Sequence, residues 1–193
     1  ISQLKKMGRL TNFIERNGSG KKVLVLFILT NVVYVLMLTV TIPYTMKFSN
    51  GMKLLDMMPT GYDSKYVYEL FGSLGEKGRL IYLTNQIPVD MLYPLLFGLA
   101  YCLLLAYFLK RLNRLTSPYI FLCLLPIIAG TADYLENIGI IAMLKSYPDL
   151  STSFVKTINV FSIIKSISTS TVFMVILVLV ISLGFSAINR KKQ

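Results

Sequence analysis

A chain of 193 residues that is 54% hydrophobic and 15% charged, with a mean hydropathy of +0.63, is too apolar for an ordinary soluble domain, where about 25% of residues are charged. Its 20 lysines and arginines against nine acids give a net charge of +11, and it has no histidine. Those totals exclude a soluble enzyme, a secreted disulfide scaffold, a disordered tail and any His-based triad, metal site or proton shuttle.

In chain order, residues 1–22 form a basic arm. Leu4, Met7, Leu10, Phe13 and Ile14 recur at helical spacing among Lys5, Lys6, Arg9 and Arg16, the pattern of a short amphipathic helix lying on a membrane surface. Asn17-Gly18-Ser19-Gly20 reads as a hinge. Gly18-Ser19-Gly20-Lys21 lacks the upstream glycine and the following Ser or Thr of a phosphate loop and is rejected as one. A membrane domain follows over residues 23–189, with spans predicted near 23–44, 89–108, 118–144 and 166–188. Uncharged runs of 24, 19, 18 and 24 residues carry them, bounded by Lys22 and Lys47, Asp90 and Lys110, Arg114 and Asp133, and Lys165 and Arg190. Each is near or above the ~18–20 residues that cross a bilayer as a helix. The first is too long for a signal-peptide core and lacks a small-residue cleavage site, so it reads as a retained span.

Between the first two spans, residues 45–88 carry the turn signal Pro59-Thr60-Gly61-Tyr62. A helix is predicted from Asp63 or Ser64, with Tyr66, Val67, Leu70, Phe71 and Leu74 on one face, then a break at Gly75 and a second helix to Gln86. The two make a helical cap on one end of the bundle. Residues 190–193 are a basic tail. The fold class is therefore all-α: a polytopic four-transmembrane-helix bundle with a short helical extracytoplasmic cap.

Charge fixes the expected orientation. The arm, the turn after the second span and the tail hold 12 basic residues against Glu15 alone, while the opposite side holds eight basic and eight acidic residues. The positive-inside rule then puts both termini in the cytoplasm of a cell-membrane protein. The basic charge is a topology signal and an attraction to membrane lipids, and implies no nucleic-acid partner.

An ionisable residue inside a span costs roughly 2.5–3.5 kcal/mol on insertion scales and needs a reason. Asp133, Glu136 and Asn137 stand at i, i+3 and i+4, on one helix face. Pro126, Ala129 and Gly130 continue that stripe, and small residues let another helix approach closely. Asp90 shares a stripe with Pro94, Phe97, Gly98 and Tyr101, and Lys165 opens a hydroxyl-rich segment of Ser166, Ser168, Thr169, Ser170 and Thr171. These five polar residues, Asp90, Asp133, Glu136, Asn137 and Lys165, share one level at the extracytoplasmic end. Arg79, the one arginine on that side, is expected to reach Asp90 or Glu136, with Lys165 beside Asp133 or Glu136.

Asp90, Asp133, Glu136, Asn137, Lys165 and Arg79 are thus the candidate ligand site, for a lipid headgroup, cation or proton, with Asp90, Asp133 and Glu136 as candidate acids or bases. Neither a cofactor nor a metal is implied. Three alternatives stay open: an enzyme acting on a lipid or isoprenoid-like substrate, a transport or channel subunit working as a homo-oligomer, and a scaffold whose polar network only stabilises the bundle. Asn31 reads as helix–helix glue, Cys102 and Cys123 as small buried hydrophobes, and Tyr34, Tyr93, Tyr101 and the other span-end tyrosines as interface anchors.

Overall fold

The computed structural model describes Asn12 and residues 14–190. Among the described residues every regular element is helical, and four helices are long and apolar enough to cross a membrane. Of the arm residues expected at helical spacing, Leu4, Met7, Leu10 and Phe13 lie outside the described residues and Ile14 is helical; the last three residues of the tail also lie outside them.

Helix α1 spans Gly20–Met46. Its last third is a π turn, Met37–Thr41, followed by Ile42–Met46 with Pro43 in the first turn. Proline has no N–H to donate and its ring crowds the carbonyl four residues back, so a widened turn before it absorbs the mismatch. The same device recurs further on. Helix α2, Ser64–Ile81, passes through a π turn at Tyr82–Gln86 straight into α3, Ile87–Arg111, with Pro88 in its first turn.

The predicted start and break of α2 are both present. The Asp63 carboxylate caps the helix by accepting from the Tyr66 N–H at 2.8 Å. Val67, Leu70, Phe71 and Leu74 form its buried face. Gly75 sits at φ +63°, ψ −178° and kinks the helix, a conformation that favours glycine. One expectation needs correcting. The second cap helix is no separate lid, because the π turn lets it run on into α3 instead of ending before Pro88.

A 3₁₀ segment, Tyr119–Leu124, leads into α4, Leu125–Ser146, and α5 occupies Thr152–Arg190. The fourth span was expected from about Ser166. Its helix starts 14 residues earlier, because Lys156 and Lys165 interrupt the hydropathy but not the helical face on which Val155, Ile158 and Ser162 are buried.

Packing follows the small residues. A Cβ on Gly130 would come within 2.6 Å of the Pro94 carbonyl oxygen, and one on Gly139 would strike the Ile158 side chain. Glycine thus sets the approach of α4 to α3 on one side and to α5 on the other. Helix α1 packs on α3, and α5 on α4 and α3, so α3 stands between α1 and α5.

Three apolar clusters stack along the bundle. One, with Ile14, Val23, Leu105, Leu109, Cys123 and Leu179, marks the end near the two termini. A middle one holds Phe97, Ala100, Tyr101, Ala129 and Val172. At the far end, Leu54, Leu55, Phe71, Tyr82, Ile140 and Val155 join the loop after α1 to α2, α4 and the start of α5. The outward faces of α1 and α5 stay apolar and uncovered, Val25, Val32, Met174 and Val178 each being more than half exposed.

Candidate functional site

Between the middle and far clusters lies a polar layer. Lys165 projects from α5 to α4, where its Nζ is 3.3 Å from Asp133 Oδ1 and in direct contact with Glu136 Oε2. The i, i+3 spacing of the two acids lets one ammonium meet both. Glu136 is fully buried, so the pair forms in a low-dielectric interior where breaking it is costly. Asn137, on the adjacent face, donates to the Asp90 backbone carbonyl on α3 at 3.3 Å. Four of the expected residues thus converge on one layer, and Asp90 joins them as a second carboxylate surface.

Asp90 itself is 3% exposed, and among the described residues its Oδ2 has no hydrogen-bond partner. It faces a cavity of about 470 Å³, which Asp56, Asp133 and Lys165 also line. Arg79 is elsewhere, which corrects the expectation that it would neutralise these acids. Its Nη1 donates to the Phe71 carbonyl at 2.8 Å, and its guanidinium lies 4.6 Å from the centre of the Tyr147 ring. The kink at Gly75 explains this. It ends the first stretch of α2, and the Arg79 side chain reaches back across it to a carbonyl of that stretch.

Asp56 is the site residue that sequence reasoning missed, since it counted only as one of the balanced loop charges. It sits in a short 3₁₀ turn, Leu55–Met57, folded into the bundle. Its carboxylate accepts from the Tyr82 hydroxyl at 2.6 Å and from Gln86 Nε2 at 2.9 Å. Gln86 Oε1 in turn accepts from the Thr41 hydroxyl. The two π turns, before Pro43 and before Pro88, thereby meet across Gln86, with Asp56 joined to the same amide. No local pattern marks Asp56. The π turns were signalled only by proline inside an otherwise apolar run.

Tyr62 closes the layer from the loop side. Gly61 before it has φ +84° and abuts the Asn159 side chain, whose Oδ1 accepts the Tyr62 N–H at 2.8 Å. Burial, with the Glu136 carboxylate beside it, holds the Tyr62 phenol well above its ordinary range, so it keeps its proton.

Aromatic rings form the rest of the wall. Tyr34 on α1 stacks on Tyr93 of α3 at 5.4 Å between centroids. Phe97 and Tyr101 follow along α3 at 4.4 Å, and Phe173 of α5 meets Tyr101 edge-on at 5.6 Å. Tyr34, Tyr93 and Tyr101 therefore line the cavity. The signal was present: Asp90, Tyr93, Phe97 and Tyr101 fall on one stripe of α3. Ser166, Thr169 and Ser170 of the hydroxyl-rich segment complete the lining.

Past Asn31, Tyr101 and Phe173 a second space opens, about 690 Å³, lined by Leu24, Phe27, Leu104, Phe108 and Val180 among others. Those three residues border both spaces. Asn31, whose Nδ2 donates to its own helix at the Phe27 carbonyl at 2.8 Å, thus stands at a waist between a polar chamber and an apolar groove. From Lys165 to Val180, α5 advances roughly 22 Å.

Comparison of the chain with protein-family models, curated proteins and solved structures finds no match.

Proposed function

We propose that the chain is a multi-pass membrane protein that binds a membrane amphiphile, the headgroup in the carboxylate chamber and the tail in the groove between α1 and α5. The supporting observation is that a chamber lined by carboxylates and aromatic rings and an apolar trough share three lining residues, Asn31, Tyr101 and Phe173. Asp90 lines the chamber and takes no part in the Lys165 ion pairs, and its buried Oδ2, like Glu136 Oε1, has no hydrogen-bond partner among the described residues. The Lys165 brace belongs to the scaffold of the site: it ties α5 to α4 and holds the chamber wall in place. The apolar outward faces of α1 and α5 suit a bilayer, from which a tail can enter sideways. Charge puts both termini in the cytoplasm and the chamber towards the extracytoplasmic surface.

The test is adjacent substitutions on α1. Leu24 lines the groove, while Val25 faces away, and both are more than half exposed, so neither substitution disturbs a core. Native mass spectrometry of the purified protein should show a bound amphiphile in the wild type and in Val25→Trp, and a several-fold loss in Leu24→Trp. Equal retention in both variants, or no adduct in the wild type, would sink the reading.

A further inference from the structure

Resting on that amphiphile reading, we propose that the headgroup is cationic, an ammonium carried on a hydrocarbon tail. The first support is charge. The chamber is lined by Asp56, Asp90 and Asp133, and its one lining cation among the described residues, Lys165, is engaged by Asp133 and by Glu136 behind it. Arg79, the other cation expected there, is turned onto the Phe71 carbonyl. An anionic headgroup would meet three carboxyl groups and no free donor of positive charge among the described residues. A cationic one supplies what the layer lacks.

The second support is independent of the charge balance. Asp90 lines the chamber, is 3% exposed, and its buried Oδ2 has no hydrogen-bond partner among the described residues. A buried carboxylate oxygen costs free energy unless something pairs with it. The third is the wall: Tyr34, Tyr93, Phe97, Tyr101 and Phe173 put five aromatic rings around the same space. Aromatic faces beside a carboxylate are the surroundings that favour an alkylammonium over a hydrated metal ion. Among the described residues no three ligating side chains are arranged to share a metal.

The test titrates four dodecyl amphiphiles into the full chain in neutral micelles, read by native mass spectrometry. They are dodecyltrimethylammonium, dodecylphosphocholine, dodecyl maltoside and dodecyl sulfate. The expected order of affinity is trimethylammonium first, phosphocholine next and sulfate last, with the cation about tenfold tighter than the maltoside. Asp90→Asn should erase that preference and leave maltoside binding unchanged, while Glu69→Gln, which removes an exposed charge outside the chamber, should keep it. Tyr93→Leu removes a ring without altering charge and should cut the preference several-fold, so the outcome does not hang on one variant. Equal binding of cation and maltoside, sulfate binding tightest, or a preference that survives Asp90→Asn would overturn the cationic headgroup alone. Absence of binding by all four would overturn the amphiphile reading as well.

Discussion

Asp90 and Lys165 are both largely buried and ionisable, yet the structure treats them oppositely. Lys165 is tied to two carboxylates, and Asp90 presents an oxygen with no partner among the described residues. Removing one member of a buried pair strands the other charge, at a cost of about 3–5 kcal/mol. Lys165→Met should therefore lower thermal stability sharply in micelles, and adding Glu136→Gln should recover part of the loss. Asp90→Asn strands nothing and should leave the unfolding midpoint nearly unchanged. If Asp90→Asn proves as damaging as Lys165→Met, the two residues belong to one stabilising network and the division between brace and binding surface is wrong. The i, i+3, i+4 spacing made Asp133, Glu136 and Asn137 legible from the sequence. Asp56 was not, because its place depends on a loop folding back over the helices, which no local pattern encodes.

At the scale of elements, two glycines and two prolines set the shape around the site. Gly130 allows the Pro94 carbonyl to approach α4, and a methyl there would sit 2.6 Å from that oxygen. Since backbone rather than a flexible side chain must yield, Gly130→Ala should destabilise by about 1–3 kcal/mol. The same change at Gly184, where nothing lies within 4 Å of an added Cβ, should be neutral or slightly stabilising. Unfolding of both variants in the same detergent checks the contrast; equal effects would mean that α3 and α4 do not meet as described. The small-residue stripe was readable in the sequence for this reason. The boundaries of α3 and α5 were not. Pro88 signals a helix end, but a π turn carries the chain through it. Lys165 ends an apolar run without ending α5, because its charge is met by α4.

For the whole molecule, hydropathy was enough to anticipate four long apolar helices. It could not show that α1 and α5 both lean on α3 and leave a groove between them, since that depends on which faces meet. The orientation proposed from the charge asymmetry is open to a direct check. Ser19→Cys and Ser117→Cys should react with an impermeant thiol reagent from the cytoplasmic side of intact vesicles. Lys65→Cys and Ser153→Cys should react from the other side, all four positions being exposed. Labelling of all four from one side would contradict the topology.

Occupation by an amphiphile of the chamber that Asp90 lines and of the groove that reaches Val180 is open to direct observation. A density map of the wild-type protein in a lipid nanodisc examines it most directly. One elongated feature is expected between α1 and α5, its compact end against the Asp90 carboxylate and its tail along Leu24 and Leu104. A map in which α1 closes onto α5, or in which the chamber holds only water beside Asp90, would contradict this expectation.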